Sequence, residues 1–321
     1  MTTDETLVPD EASVPQETLV PEETPVPEET LVPDEGLVAL VRGLVRDQFP
    51  QWAGLPVVAA GAESTANAMF RLGPDLVVRL PRHEGAAQDI LTERQWLPRL
   101  APALPVPIPA PLADGEPAPG FPLPWGVYRW LDGSNPDVAD GGEALAGDLA
   151  AFTSALQKID PAGGPRSYRS ETLADRDAST REAVAELAAE IDADAALRVW
   201  EDARAAADPV GPPVWIHADL QPGNVLVADG RLTAVIDFGC MGLGDRAVDL
   251  IAAWYLLAPA AHAAFREATG TGPGADEAAW RRGRGWALSV ALNELRAYRT
   301  VNATMGEKAR HVLAGLLASR P

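Results

Sequence analysis

The sequence predicts an α+β fold with a β-rich first lobe and a mostly helical second lobe. Between residues 56 and 131, short extended segments bounded by glycine, proline or polar residues surround a single helical segment. Beyond Asp132 the apolar residues recur mainly at helical spacing, and extended segments return only between residues 214 and 237. A strand-rich part followed by a helix-rich part indicates two lobes, which we place at residues 37–131 and 132–321.

The first lobe begins with an amphipathic helix. Apolar residues at positions 37, 38, 41, 44 and 45 share one face of a helix over residues 37–49. A second helix is expected at residues 86–100, before a proline-rich passage. The alternation of apolar residues predicts strands at 56–60, 68–72, 76–80 and 126–131. We therefore expect a small β-rich domain here.

The second lobe is dominated by helical periodicity. Helices are predicted at residues 143–156 and 179–207, and most residues from 245 onward also follow helical spacing. Three short apolar runs interrupt them and read as strands at 214–217, 225–227 and 233–237. The last two runs flank an Asp-Gly pair, which favours a hairpin.

The N-terminal segment has its own repeat. Residues 6–35 are five hexapeptides, each with a Val-Pro pair at the same phase. Residues 1–35 hold eleven acidic residues and no Lys or Arg. Because proline removes backbone donors and like charges repel, we predict that residues 1–36 are a disordered acidic tail.

Charge and cysteine content exclude several classes of function. Of the formal net charge of −20, the tail carries −11, and the remaining residues still have an acidic excess. This balance argues against nucleic acid or an anionic membrane as a partner. Cys240 is the only cysteine, which excludes an intramolecular disulfide and a multi-cysteine zinc site. No basic N-terminal segment precedes an apolar run, and the longest apolar run, 250–261, is too short to cross a bilayer, so we expect a cytoplasmic protein.

The stretch WIHADLQPGNVLVADGRLTAVIDFG, residues 215–239, carries the chemistry. His217 and Asp219 are followed by Asn224, and an Asp237-Phe238-Gly239 triplet lies thirteen residues further on. This is the H-x-D-x-x-x-x-N loop and D-F-G loop pairing of protein kinases. The bland alternative is an ordinary hairpin with polar ends.

The residue types suit phosphoryl transfer. Asp219 would accept or orient the proton of an attacking hydroxyl group. Asn224 and Asp237 offer the hard oxygen ligands that Mg²⁺ prefers. His217, the other candidate catalytic residue, is expected to order the loop rather than to transfer protons.

In this chain the H-x-D-x-x-x-x-N loop reads HADLQPGN. This loop, together with GLGDRAVDL at residues 242–250, resembles the aminoglycoside phosphotransferase family, which also contains macrolide and choline-like kinases. The resemblance extends over about residues 37–318. It implies a two-lobed protein-kinase-like fold with a nucleotide, ATP or GTP, between the lobes. It also implies that Asp249 braces the catalytic loop, with a helix-surface carboxylate as the alternative.

The same resemblance assigns a nucleotide site. Arg79 stands where kinase-like folds carry a phosphate-binding lysine, and Glu93 would hold it in place unless Glu93 is merely a solvated helix residue. The resemblance further places Ser64, Thr65 and Asn67 in or beside a turn over the phosphates, Arg129 and Trp130 in the hinge whose backbone reads the base, and Leu226 and Ile236 against the base.

We therefore expect a magnesium- and nucleotide-dependent phosphotransferase that acts on a hydroxyl group of a small molecule. An aminoglycoside or another antibiotic-like compound is the expected acceptor, and a primary metabolite such as an amino alcohol is an alternative. A catalytically silent regulatory module is a weaker hypothesis, because Asp219, Asn224 and Asp237 are all present. A protein kinase is disfavoured, because no Ala-Pro-Glu motif follows Asp237.

Overall fold

A five-stranded antiparallel sheet forms the first part of the chain. The computed structural model describes residues 35–60 and 66–318. The predicted tail falls almost wholly outside these residues. The sheet has the strand order β1-β2-β3-β5-β4. Its strands are β1 Val57–Ala59, β2 Asn67–Leu72, β3 Leu76–Pro81, β4 Pro111–Gly115 and β5 Trp125–Arg129.

Two helices pack against this sheet. Helix α1, Glu35–Gln48, buries Val41, Leu44 and Val45 in a hydrophobic cluster that also contains Phe70 and Trp125 from the strands. Helix α2, Glu84–Leu100, begins at His83, whose Nδ1 accepts a hydrogen bond from the N–H of Ala86. All six residues of the central strand β3 are buried. This explains why its sequence is a nearly unbroken apolar run.

The second part of the chain is mostly helical, with two small two-stranded sheets. Strand β6 pairs with β9, and β7 pairs with β8. The helices are α3 Glu143–Gln157, α4 Asp177–Glu186, α5 Ala193–Arg204, α6 Ala252–Leu256, α7 His262–Ala268, α8 Glu277–Tyr298 and α9 Ala303–Ala318. The strands are β6 Val214–Ile216, β7 Val225–Ala228, β8 Arg231–Val235 and β9 Gly242–Gly244. The α+β prediction, β-rich first and helical second, is confirmed. No helix within the described part of the chain is both long and apolar enough to span a bilayer.

Three elements differ from the sequence-based expectation. Strand β4 lies in the proline-rich passage, where the sequence predicts no strand, because its prolines hide an edge strand. The single helix expected at 179–207 is two helices, since the side chain of Asp192 caps α5 by accepting a hydrogen bond from the N–H of Ala195 at 2.9 Å. Strand β9 was also missed. Its Gly-Leu-Gly sequence has low strand propensity, but a Cβ at Gly242 would clash with the backbone nitrogen of Ser167, so the close packing of β9 against the loop of Ser167 requires glycine there.

Helix α8 runs through the core of the second part. It contacts α9, α5 and the 3₁₀ turn Val248–Ile251. At Gly283 a Cβ would lie 2.7 Å from Cβ of Leu250 and 2.9 Å from the carbonyl oxygen of Ala247. The absence of a side chain at Gly283 therefore sets how closely α8 approaches this turn.

This approach predicts opposite effects for two helical glycine-to-alanine changes. Gly147→Ala in α3, where a Cβ would have nothing within 4 Å, should raise the free energy of unfolding by about 0.5–1 kcal/mol through helix propensity. Gly283→Ala should lower it by about 1–3 kcal/mol, because the new methyl group overpacks the contact with Leu250 and Ala247. Urea denaturation of both variants measures the difference. Stabilisation by Gly283→Ala would contradict this description of the packing.

Candidate active site

The hairpin of β7 and β8 brings two candidate metal ligands together. Val225 pairs with Val235, and the N–H of Ile236 donates to the carbonyl oxygen of Asn224 at 2.9 Å. Asn224 and Asp237 therefore lie at the same end of the hairpin. At the other end, Asp229 and Gly230 have φ angles of 50° and 71°. Left-handed geometry at both positions is typical of a type I′ turn, and the predicted Asp-Gly hairpin is confirmed.

Asp249 braces the loop that carries Asp219. The Asp249 carboxylate is buried, and it accepts hydrogen bonds from the backbone N–H groups of His217 at 3.0 Å and Ala218 at 2.7 Å. Ala218 has a left-handed φ of 68°, which is uncommon for a residue with a Cβ. Burial raises the pKa of Asp249, while His217 and the two N–H groups act in the opposite direction. The surface-carboxylate alternative for Asp249 is wrong.

His217 joins the two loops. Its Nδ1 accepts the N–H of Asp219 at 3.2 Å, so its Nε2 carries the proton and donates to the carbonyl oxygen of Ile236 at 3.1 Å. The ring is buried and meets the edge of Phe238 at a centroid distance of 4.6 Å. Both ring nitrogens are thus engaged within the protein. This geometry fits a residue that orders the loops rather than one that transfers protons.

The carboxylate of Asp219 is held by three side chains. Its Oδ1 accepts from Nη1 of Arg169 at 2.8 Å and from Nε2 of Gln221 at 2.7 Å. Its Oδ2 accepts from Nδ2 of Asn224 at 2.7 Å. The side chain is 22% exposed, so a ligand can still reach it. Because the amide nitrogen of Asn224 is bound to Asp219, its amide oxygen is the atom left to face a cation.

Asp237 meets a second acidic residue, Asp89 of α2. A Cβ at Gly239 would lie 3.4 Å from Oδ2 of Asp89 and 3.5 Å from Oδ1 of Asp237, so the two carboxylates approach the same point. Burial, together with the negative charges of Glu93 and Asp237, raises the pKa of Asp89 to about 6. A divalent cation would offset this repulsion.

The oxygen donors of Asn224 and Asp237 fit an open Mg²⁺ site better than a metal site enclosed by protein side chains. Within the described residues, no three side chains of the His, Cys, Asp or Glu type converge to form a cage. Mg²⁺ is commonly held by one or two carboxylates while phosphate oxygens and water complete its shell. Asp237 and the amide oxygen of Asn224 match that pattern.

Arg79 and Glu93 form a buried ion pair between β3 and α2. Nη1 of Arg79 lies 2.6 Å from Oε2 of Glu93, and the hydroxyl group of Tyr128 donates to the same oxygen at 3.3 Å. Burial disfavours the charged guanidinium, but Glu93, Tyr128 and Asp237 outweigh it and raise the pKa of Arg79. Glu93 is fully buried and is not a solvated helix residue. Nε of Arg79 and Oε1 of Glu93 are buried and have no hydrogen-bond partner within the described residues.

The predicted base-binding residues lie at the end of β5 and on the β7–β8 hairpin. The N–H of Arg129 donates to the carbonyl oxygen of Ala110 at 3.1 Å, and that of Trp130 donates to Asp75 at 2.8 Å. Base recognition by these two residues would therefore use their carbonyl oxygens. Leu226 adjoins the hinge, because a Cβ at Gly133 would lie 2.9 Å from its Cβ, while Ile236 lies half-buried next to Asp237.

The turn over the phosphates is only partly described. Asn67 begins β2 and is buried. Ser64 and Thr65 lie outside the described residues. Their assignment to the phosphates stays a prediction.

Sequence reasoning missed Arg169, Gln221, Glu294 and Asp89. Arg169 lies in an irregular loop that shows neither a motif nor a periodic pattern. Glu294 had a signal, since it is a lone acid in the apolar run ALNEL of α8. The hydroxyl group of Tyr255 donates to its Oε2 at 2.8 Å. Burial and the nearby charge of Asp219 raise the pKa of Glu294 to about 7, while Tyr255, Arg169 and Gln221 act in the opposite direction.

This raised pKa predicts a pH-dependent stability difference. Between the ordinary pKa of 4.5 and about 7, the folded state binds a proton at Glu294 more strongly than the unfolded state does. The contribution of Glu294 to stability is therefore fully present below pH 4.5 and is lost as the pH rises through 7. Glu294→Gln should unfold with nearly wild-type free energy at pH 4.5 but should be more stable than wild type at pH 8, by up to about 3 kcal/mol.

Denaturation at both pH values measures this difference. Glu307→Gln, at an exposed glutamate of α9, is the matched control and should change stability little at either pH. A difference between Glu294→Gln and wild type that does not depend on pH would contradict the raised pKa.

Comparison with known proteins identifies the family. A model of the phosphotransferase enzyme family (APH) matches residues 57–286. No curated protein sequence matches the chain.

Solved structures share the fold. The GDP complex of wild-type aminoglycoside 2'-phosphotransferase-IIIa has a TM-score of 0.69 and 22% sequence identity, covering 88% of this chain and 98% of that chain. The macrolide 2'-phosphotransferase MphH from Brachybacterium faecium, an apoenzyme, gives 0.56 and 22%, covering 86% and 97%. The gentamicin complex of APH(2")-IIa gives 0.59 and 17%, covering 88% and 96%.

The expected two-lobed, kinase-like fold is confirmed by these likenesses. The family match covers well over half of the chain and includes the loops of Asp219 and Asp237. The chain therefore belongs to the phosphotransferase enzyme family.

Proposed function

We propose that the protein transfers the γ-phosphoryl group of ATP or GTP to a hydroxyl group of a small molecule, with Asp219 as the base. The observation that carries this proposal is the direct hydrogen bond between Asn224 and Asp219. A candidate metal ligand and a candidate base thus form one unit, with Asp237 at the same end of the hairpin. Phosphoryl transfer needs this combination of a positioned nucleophile and cation ligands.

Nucleotide binding would use the Arg79 side of the site. The guanidinium is held by Glu93 through Nη1, and a guanidinium suits the binding of a phosphate oxygen. Asn224 and Asp237 would hold Mg²⁺, which when bound neutralises charge on the phosphate oxygens. The fold neighbour aminoglycoside 2'-phosphotransferase-IIIa was solved with GDP, which supports testing GTP beside ATP.

The acceptor would approach Asp219 from the helical part of the chain. Glu294, Tyr255 and Gln221 lie on that side of the carboxylate. Carboxylates near the reacting hydroxyl favour an acceptor that carries amino groups. The fold neighbours include a gentamicin complex and a macrolide phosphotransferase, which supports an aminoglycoside or another antibiotic-like acceptor.

Incubation with candidate acceptors tests this function. The protein, Mg²⁺ and either ATP or GTP are mixed with a panel of aminoglycosides, macrolides, peptide antibiotics and amino alcohols, and mass spectrometry follows the gain of one phosphoryl group. We expect at least one product, and we expect Asp219→Asn to lower its rate by about 10²-fold or more, because an amide cannot accept the proton.

The matched control is Asp229→Asn in the β7–β8 turn. Asp229 is exposed and has left-handed geometry, which asparagine also tolerates, so this variant should keep wild-type activity. Nucleotide binding without any phosphorylated product or nucleotide hydrolysis would favour a regulatory module instead. Equal rates in wild type and Asp219→Asn would refute the role of Asp219.

A further inference from the structure

Arg169, in the loop between α3 and α4, contacts the catalytic loop from a distant part of the sequence. Its Nη1 donates both to Oδ1 of Asp219 and to the carbonyl oxygen of Ala218. We propose that Arg169 is a positioning residue: it occupies Oδ1 of Asp219 and so presents Oδ2 to the acceptor hydroxyl. The proposal rests on the proposed function of Asp219.

The carboxylate of Asp219 has a limited number of positions that can accept hydrogen bonds. An ionised carboxylate offers about four lone-pair positions, two on each oxygen. Arg169 and Gln221 fill both positions on Oδ1, at 2.8 and 2.7 Å. Asn224 fills one position on Oδ2, at 2.7 Å. Among the contacts of the described residues, the open position is therefore on Oδ2.

The open position lies on the correct side for transfer. Oδ2 is the oxygen that accepts from Asn224, the residue proposed to bind the cation through its amide oxygen. A hydroxyl group that donates to Oδ2 would thus approach the phosphate side of the site. In the reaction the hydroxyl proton passes to Oδ2 and the acceptor oxygen bonds to the γ-phosphorus. The bond from that phosphorus to the bridging oxygen breaks, and its electron pair leaves with the nucleoside diphosphate.

Arg169 is itself fixed by the segment that follows Asp237. The side chain is only 10% exposed. The backbone N–H of Arg169 donates to Oγ of Ser167 at 3.2 Å, and that hydroxyl group donates to the carbonyl oxygen of Cys240 at 2.8 Å. The N–H of Ser167 donates to Leu243 at 3.1 Å. Arg169 therefore holds Asp219 in a fixed relation to the segment that follows Asp237.

A purely structural ion pair is the competing interpretation, and the two differ in what they predict. If Arg169 only stabilises the fold, its loss lowers stability, nucleotide affinity and kcat together. If it directs Asp219, its loss lowers kcat while nucleotide binding and the acceptor KM stay nearly constant. Misplacement of a reacting group by about 1 Å can cost roughly 10²-fold in rate.

The test compares Arg169→Ala, Arg169→Lys and the control Arg166→Ala. Arg166 is three residues earlier in the same loop, and its side chain is exposed and bonds Ser170. The assays are nucleotide affinity by calorimetry with a non-hydrolysable ATP or GTP analogue, and kcat and KM for the phosphorylated acceptor. Hydrolysis of the nucleotide, with water as the acceptor, is measured in parallel.

We expect Arg169→Ala to lower kcat by about 10²-fold, both with the small-molecule acceptor and with water. Nucleotide affinity and the acceptor KM should change by less than about 3-fold. Arg169→Lys should keep an intermediate kcat, because its ammonium group can bond Oδ1 but lacks the fixed fork. Millimolar guanidinium ion should restore part of the activity of Arg169→Ala. Arg166→Ala should behave as wild type.

The outcomes separate the two proposals. Wild-type kcat in Arg169→Ala, alongside an inactive Asp219→Asn, would overturn the role of Arg169 and leave the proposed function intact. A parallel loss of stability, affinity and kcat, with no rescue by lysine or guanidinium, would also overturn it in favour of a structural ion pair. If Arg169→Ala does not fold, Arg169→Lys is used in its place. A lowered kcat with a nearly constant KM then supports the role of Arg169, and a wild-type kcat overturns it. No turnover by the wild-type protein with any acceptor, water included, would refute both proposals.

Discussion

The buried carboxylate of Asp249 determines the geometry on which the rest of the site depends. It accepts two consecutive backbone N–H groups, of His217 and Ala218, and so holds Ala218 in a left-handed conformation that costs energy for any residue with a Cβ. That conformation turns the chain between β6 and the catalytic loop. Asp249 is in turn carried by the 3₁₀ turn against which α8 packs at Gly283. The position of Asp219 is thus set by packing in the core of the helical part.

Hydrogen bonds connect this braced loop to the segments before and after Asp237. His217 connects it to the strand end before Asp237 through Ile236, and Asp219 connects it to Asn224. Arg169 adds the segment that follows Asp237. Polar groups that are oriented before a ligand arrives need little reorganisation during the reaction. This is the physical reason why the site supports phosphoryl transfer.

Local patterns were sufficient to predict which candidate site residues lie together when they are close in sequence. His217, Asp219, Asn224 and Asp237 fall within 25 residues, and the Asp-Gly turn between the last two is a local signal. The pairing of Arg79 with Glu93 was expected from the resemblance and is present as a buried ion pair. Arg169 could not be predicted in this way, because it is fifty residues from Asp219 and its loop has no periodic pattern. Strand β9 was missed for a similar reason, since close packing rather than propensity selects its glycines.

Amide hydrogen exchange of the catalytic loop tests most directly whether Asp249 forms the site in advance. We predict that the N–H groups of His217 and Ala218 exchange slowly without nucleotide or Mg²⁺, near the rate set by global unfolding. In Asp249→Asn, which keeps one acceptor oxygen but turns an NH₂ group towards the other N–H, protection should fall across residues 217–224 and stay high in α9. Rapid exchange of these amides in the free wild-type protein, slowed only when nucleotide is added, would contradict a loop that is fixed before its ligands bind.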